Sequence, residues 1–297
     1  NKTNIINTIP SFKEYYNVWL NFKEKVVSDN TVYKYLYDYK RFFENTEFED
    51  MKIKDIDDQI IIVFLAESVK SHKLTQKALK ALCSYINEIF ELAMCDKIIQ
   101  DNPYKYVKPK LKLITKQCTK NKSTTVEDRT ISSEDIHKLL ERFKKDYITK
   151  PEIITPYAVE FAIYTGCRVG EIAALRWNDI DNNSGVITIR RSEKAHRVIG
   201  QNVTYTIEGT KTGKERKIPI TKQLSDLLNR VSNAEEAINC KNEFVFADKN
   251  GRIKASNISR CMSRKCKQVG IQHKCIHSCR RTINSVLKNV GANTFMA

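Results

Sequence analysis

Apolar side chains recur at three- and four-residue steps through the first hundred residues, a period that predicts helices. Phe12, Tyr15, Trp19, Phe22 and Val26 form one such stripe. Asp29 and Asn30 are cap candidates for a second helix over 31–43, where Tyr33, Leu36, Tyr37 and Lys40 keep helical steps. A third helix is expected over 56–69. Thr75 is placed to cap a fourth, with Ala78, Leu79, Leu82, Ile86, Ile89, Phe90 and Ala93 along one face. Asp101-Asn102-Pro103 is expected to end it, because proline disfavours helical backbone in the residue before it.

The second half reads differently. Ser132 with Asp135 resembles a weak capping box ahead of a helix through Leu139, Leu140 and Phe143. Another helix is expected over 156–164, closed by Gly166, where a left-handed cap costs little. Strands follow at 186–189, 203–207 and 216–220, then helices over 224–231, 256–269 and 280–290. The predicted fold class is mainly α with a small antiparallel sheet, α+β, without βαβ alternation. Between the two halves, 104–123 carries seven lysines and no acidic residue. These shifts divide the chain into a helical domain over 1–103, a Lys-rich linker over 104–129 and a second domain over 130–297.

Charge narrows the partner. With 51 Lys and Arg against 35 Asp and Glu, the 297-residue chain has a formal net charge of +16. That favours a polyanion, either nucleic acid or an anionic membrane surface. No apolar run reaches the roughly 18 residues of a membrane span, and no signal-like start is expected. No basic helix with an aromatic face supports a surface-bound membrane protein. Nine scattered cysteines lack the density of a disulfide scaffold, so they read as reduced core fillers in a cytoplasmic protein.

Three stretches carry candidate chemistry. In the first, Arg168-Val169-Gly170-Glu171 follows the turn at Gly166, and Glu171 could fix the Arg168 guanidinium from one side. In the second, Gly209-Thr210-Lys211-Thr212-Gly213 leads into Arg216-Lys217-Ile218-Pro219-Ile220 and reads as a hairpin with Lys211 near its tip. A lysine held there can reach a phosphate or protonate a leaving group. In the third, His277 and Arg280 lie three apart and face the same way on a helix start. Each pattern alone is ordinary, since surface Arg–Glu pairs and solvated turn lysines are common.

In this order and spacing the three stretches resemble the tyrosine recombinase (phage integrase) family, most of all integrases of conjugative transposons. The resemblance spans about 130–297. It implies a catalytic set of Arg168, Lys211, His277 and Arg280, supported by Glu171. Two arginine forks would hold the non-bridging oxygens of a pentavalent phosphate, His277 would donate a hydrogen bond or move a proton, and Lys211 would protonate the departing 5′-oxygen. The family's nucleophile is a tyrosine that forms a 3′-phosphotyrosine and preserves the bond for rejoining, with no metal, ATP or other cofactor. That tyrosine and the preceding Leu-Gly-His have no counterpart, for no Tyr follows Arg280. The chain is therefore expected to be C-terminally truncated, and to bind DNA without cutting it.

The resemblance further implies a core-binding domain in the first half and a C-shaped clamp on double-stranded DNA. It implies a homotetramer at recombination sites, integration and excision of a mobile element, and a bacterial cytoplasm. Lys34, Lys40, Arg41, Lys105, Lys108, Lys110 and Lys112 are the candidate phosphate contacts outside the catalytic half. Two alternatives carry less. His273, Cys275, His277 and Cys279, with Cys261 and Cys266, are zinc-ligand types without the usual knuckle spacing. A non-catalytic DNA-binding regulator would explain the charge and leave Arg168, Lys211, His277 and Arg280 without a shared role.

Overall fold

The computed structural model describes residues 9–120, 125–210 and 213–291. It resolves into two compact units: 1–123 with 196–203, and 124–195 with 204–297.

The first unit is helical. Helix α1 (Phe12–Glu24) starts at a capping box in which Ser11 Oγ accepts from Glu14 N–H and Glu14 Oε2 accepts from Ser11 N–H at 2.7 Å. Helix α2 (Asp29–Phe42) starts after Ser28, so Asp29 lies in the first turn rather than capping it. There its charge favours the amino end of the helix dipole. Asp57 caps α3 (Asp58–Ser71), and Thr75 caps α4 (Gln76–Cys95) by accepting from Ala78 N–H. These helices enclose an aromatic core of Phe12, Tyr16, Trp19, Phe43 and Phe90.

Two further expectations in this unit are corrected. Helix α4 ends at Cys95, well before Pro103. Lys97 takes a left-handed conformation (φ 61°), and Ile98 N–H bonds Ala93 C=O at 2.9 Å, a Schellman stop that needs no proline. The expected linker also belongs to the unit over its first part. Short helices at Tyr104–Val107 and Leu111–Lys116 bury Tyr104, Val107, Ile114 and Cys118 in the same core. The lysines occupy the solvent positions of those turns, so their density masks an amphipathic segment.

The second unit is built around α6 (Thr155–Thr165), in which every residue from Pro156 to Ile163 is buried. Around it pack α5 (Ser133–Thr149), α7 (Val169–Ala173), α8 (Lys222–Ala237), α9 (Ala255–Gln268) and α10 (Ile276–Asn289). Ser132 caps α5 by accepting from Asp135 N–H. Strand β1 (Ile180–Asp181) and β2 (Val186–Ile189) are antiparallel. Strand β3 (Arg191–His196) pairs with β4 (Thr204–Gly209), while β5 (Arg216–Pro219) pairs antiparallel with β2. In that register Ile187 faces Ile218 and Ile189 faces Arg216. A short pair, β6 (Ala247–Asp248) and β7 (Gly251–Arg252), completes the strands among the described residues.

This topology corrects the predicted hairpin. Strands β4 and β5 are not partners of each other. The chain still turns between them, with Gly213 N–H bonding Thr210 C=O at 2.9 Å, but β4 takes β3 as its partner and β5 takes β2. Strand β3 escaped prediction because Arg191-Ser192-Glu193-Lys194 lacks the alternation that marks a half-buried strand.

Candidate active site

Helix α6 ends at Gly166, whose left-handed backbone (φ 62°) turns the chain against the start of α10. The approach is close: a Cβ at Gly166 would lie 3.3 Å from Arg280 Cα and from Ile283 Cβ. Gly166 C=O accepts from Arg280 Nη1 at 3.2 Å, so the turn that needs glycine also holds Arg280.

Two residues on, Arg168 is the N-cap of α7. Its backbone N–H donates to Glu171 Oε2 at 2.7 Å, and its guanidinium Nη1 donates to Oε1 at 2.9 Å. Glu171 is 1% exposed. Arg216 on β5 grips the same carboxylate from the other side, Nη1 to Oε1 at 2.9 Å and Nη2 to Oε2 at 2.6 Å. The paired arrangement matches the bidentate geometry that suits guanidinium and carboxylate. Burial pushes the Glu171 carboxyl upward, but the donors from Arg216 and Arg168 outweigh it and hold the group below its ordinary range. Gly170, between these residues, lies against β3: a Cβ there would sit 2.6 Å from Ser192 Oγ and 2.7 Å from Glu193 C=O. Only glycine lets α7 approach the strand this closely.

His277 and Arg280 occupy the first turns of α10. Burial lowers the pKa of His277, and Arg281, Arg280 and Arg168 lower it further. Arg280 is lowered by burial and by its neighbours Arg168 and Arg216. Arg168, Arg216, Arg280 and His277 therefore share one electrostatic neighbourhood, in which Glu171 is the compensating carboxylate among the described residues. Three guanidinium charges against one carboxylate leave a local excess that favours an anion with several oxygens, and a phosphodiester has that form.

The structure thus brings together four of the five expected catalytic or supporting residues. Lys211 lies outside the described residues. Arg216 was missed as a site residue, although a signal existed. It shares a strand face with the core-packed Ile218, and an arginine at an otherwise inward position calls for a buried partner.

The candidate phosphate contacts of the first unit are all exposed. Lys34 pairs with Asp38, Lys105 with Asp101 at 2.7 Å and Lys110 with Asp58 at 2.9 Å. Arg41 lies over the Phe42 ring. The zinc-type residues disperse: Cys261, Cys266 and Cys279 are buried in the core, while His273 bonds Ser263. Among the described residues no group of three or more His, Cys, Asp or Glu side chains could hold a metal ion.

The profile of the phage integrase family matches residues 129–296, more than half of the sequence and the whole of this site. The chain belongs to the phage integrase family. Family membership agrees with the reading of the three motifs. A XerC-like tyrosine recombinase of Caldanaerobacter subterraneus subsp. tengcongensis is 25% identical over 268 residues, covering 85% of this chain. The match covers 65% of that relative's length. The Tn1549 transposon integrase in complex with a circular intermediate DNA aligns over 95% of this chain and 88% of its own, with a TM-score of 0.74 and 20% identity. The lambda integrase tetramer bound to a Holliday junction aligns over 99% of this chain and 78% of its own, with a TM-score of 0.69 and 16% identity. At these identities the likeness establishes the fold, which is that of tyrosine recombinases. Among the described residues no helix is long and apolar enough to cross a membrane.

Proposed function

We propose that this integrase-family chain is the DNA-holding and phosphate-activating body of a site-specific recombinase that integrates and excises a mobile element. The observation that carries the reading is the convergence of Arg168, Arg216 and Arg280 with His277 around one buried carboxylate. In the proposed reaction Arg168 and Arg280 bind the non-bridging oxygens of the scissile phosphate, where negative charge grows in the transition state. Arg216 and Glu171 hold Arg168 in its rotamer. His277, whose pKa is lowered by burial and by its arginine neighbours, donates a hydrogen bond to a phosphate oxygen or relays a proton. Lys211 protonates the 5′-oxygen as it leaves. The nucleophile is a tyrosine, and none follows Arg280 in this sequence.

The helical unit acts as a core-binding domain on the same DNA. Lys34, Lys40, Arg41, Lys105, Lys108, Lys110 and Lys112 add backbone contacts. The protein works in the cytoplasm as a homotetramer on two sites, a reading that the lambda integrase tetramer supports by analogy of fold.

The test has two arms. Fluorescence anisotropy on a duplex should give affinity that falls steeply with salt, and Lys112→Ala should reduce the log–log slope by about one. Lys110→Ala should change it less, because Asp58 already engages that ammonium. In the second arm, a nicked suicide duplex carrying the recombination site is incubated with this chain and with a version extended by a family tyrosine segment. A covalent protein–DNA band from the extended version alone, lost in Arg168→Ala, supports the reading. Tight DNA binding with no band from either version would replace it with a non-catalytic regulator.

A further inference from the structure

At the carboxyl end of α8, away from the arginine cluster, lies a carboxylate that the proposed reaction does not use. Glu235 is 5% exposed, and its Oε2 accepts from Trp177 Nε1 at 3.1 Å. The Ala247 amide acts on the same carboxyl, yet no well-formed hydrogen bond reaches Oε1. Among the described residues no lysine or arginine pairs with it. Burial therefore dominates and raises its pKa to about 7. Unpaired buried carboxylates are costly and rare in folded proteins, and one beside an open cavity is a candidate functional group.

The helix end adds to this. Helix α8 stops in a Schellman motif: Asn239 is left-handed (φ 50°), Cys240 N–H bonds Glu235 C=O at 2.9 Å, and Asn239 N–H bonds Glu236 C=O at 2.9 Å. Its last turn contains no basic residue. The negative end of the helix dipole and the Glu235 carboxylate thus lie at the same place, and both favour a cation. Glu235 and Trp177 line a cavity of about 530 Å³, edged by Glu236, Asn239, Lys241 and Asn242. Other titratable groups nearby are Cys240 and Asp248, while Arg176 is engaged by Glu243 at 2.9 Å.

We propose that this cavity binds a guanidinium or ammonium group carried on a short apolar stem. Glu235 is the counter-ion, the Trp177 indole is the apolar wall that a cation and its stem pack against, and the Asn239 and Asn242 amide oxygens accept further N–H bonds. Such a head group occurs on a free amine and on an arginine or lysine side chain of a protein.

Trp177 is a built-in reporter, since its indole N–H bonds the acid. Its indole resonance is followed while the intact chain is titrated with agmatine, and separately with an acetylated, amidated arginine tripeptide. Binding should saturate for at least one of the two, and the tighter one identifies the source. Affinity at pH 8 should exceed that at pH 6 about tenfold, the change in ionised Glu235 for a pKa of about 7. Glu235→Gln should weaken binding at least tenfold and remove the pH dependence. No saturation by either probe up to about 10 mM, which corresponds to affinity too weak for specific recognition, would overturn the proposal. So would affinity independent of pH, or binding by Glu235→Gln equal to the wild type. If Glu235→Gln does not fold, the wild-type pH dependence decides.

Discussion

Replacing Glu171 with glutamine removes one charge and leaves the shape nearly intact. The carboxylate takes four N–H donors between 2.6 and 2.9 Å, two from Arg168 and two from Arg216. A glutamine offers one oxygen to those donors and turns an NH2 against a guanidinium. The Arg168 side chain is 39% exposed and recovers part of its loss from water, but Arg216 is 19% exposed and keeps its charge without a counter-ion. Breaking a buried pair by removing one partner costs about 3–5 kcal/mol. At roughly 2–4 °C per kcal/mol for a domain of this size, Glu171→Gln should lower the melting temperature by on the order of 10 °C. Calorimetry and urea titration measure it, the latter with an unchanged slope. The pH dependence supplies a second check. Folding depresses the Glu171 pKa below 4.5, so its stabilisation is present above that value and is lost as pH falls through the folded value. Wild type and variant should differ most near neutrality and converge in acid. A loss under about 1 kcal/mol at pH 7, or a gap that persists in acid, would refute the view that this carboxylate anchors the site.

Two further outcomes follow from the same geometry. Gly166→Ala places a Cβ on left-handed backbone and within 3.3 Å of Arg280 Cα, so stability should fall by about 1–3 kcal/mol and DNA affinity should weaken as Arg280 moves; a melt unchanged within about 0.5 kcal/mol would rule this out. His277 should titrate below 6.5 by NMR and shift upward when inorganic phosphate is added, since an anion offsets the arginines that lower it. Because folding lowers this pKa, acidification through about 6.5 costs stability, and an imidazole that titrates at or above that value in the free protein would remove the arginine cluster from its surroundings.

Local information was enough for much of the fold. The Thr75 and Ser132 caps and the Gly166 turn are read correctly because hydrogen bonds within three or four residues determine them, and the strand at 186–189 because all four of its residues are β-branched. Most errors arise where a longer-range choice intervenes. The core-packed turns at 104–118 and the pairing of β5 with β2 rather than β4 depend on contacts with distant residues, whereas the stop at Lys97 is local and was missed because lysine gives no sign of left-handed backbone.

The same division holds for the site. Arg168, Glu171, His277 and Arg280 are legible in the sequence because their spacing is set by one helix start each, and the family follows from those motifs. The role of Arg216 depends on tertiary structure, because the register of β5 against β2 carries it across 45 residues to Glu171. So does the state of Glu235, whose isolation depends on what surrounds the end of α8. A sequence states which charges exist and how adjacent ones are spaced. Burial and the distance between remote charges set their energies, and only the folded chain determines those.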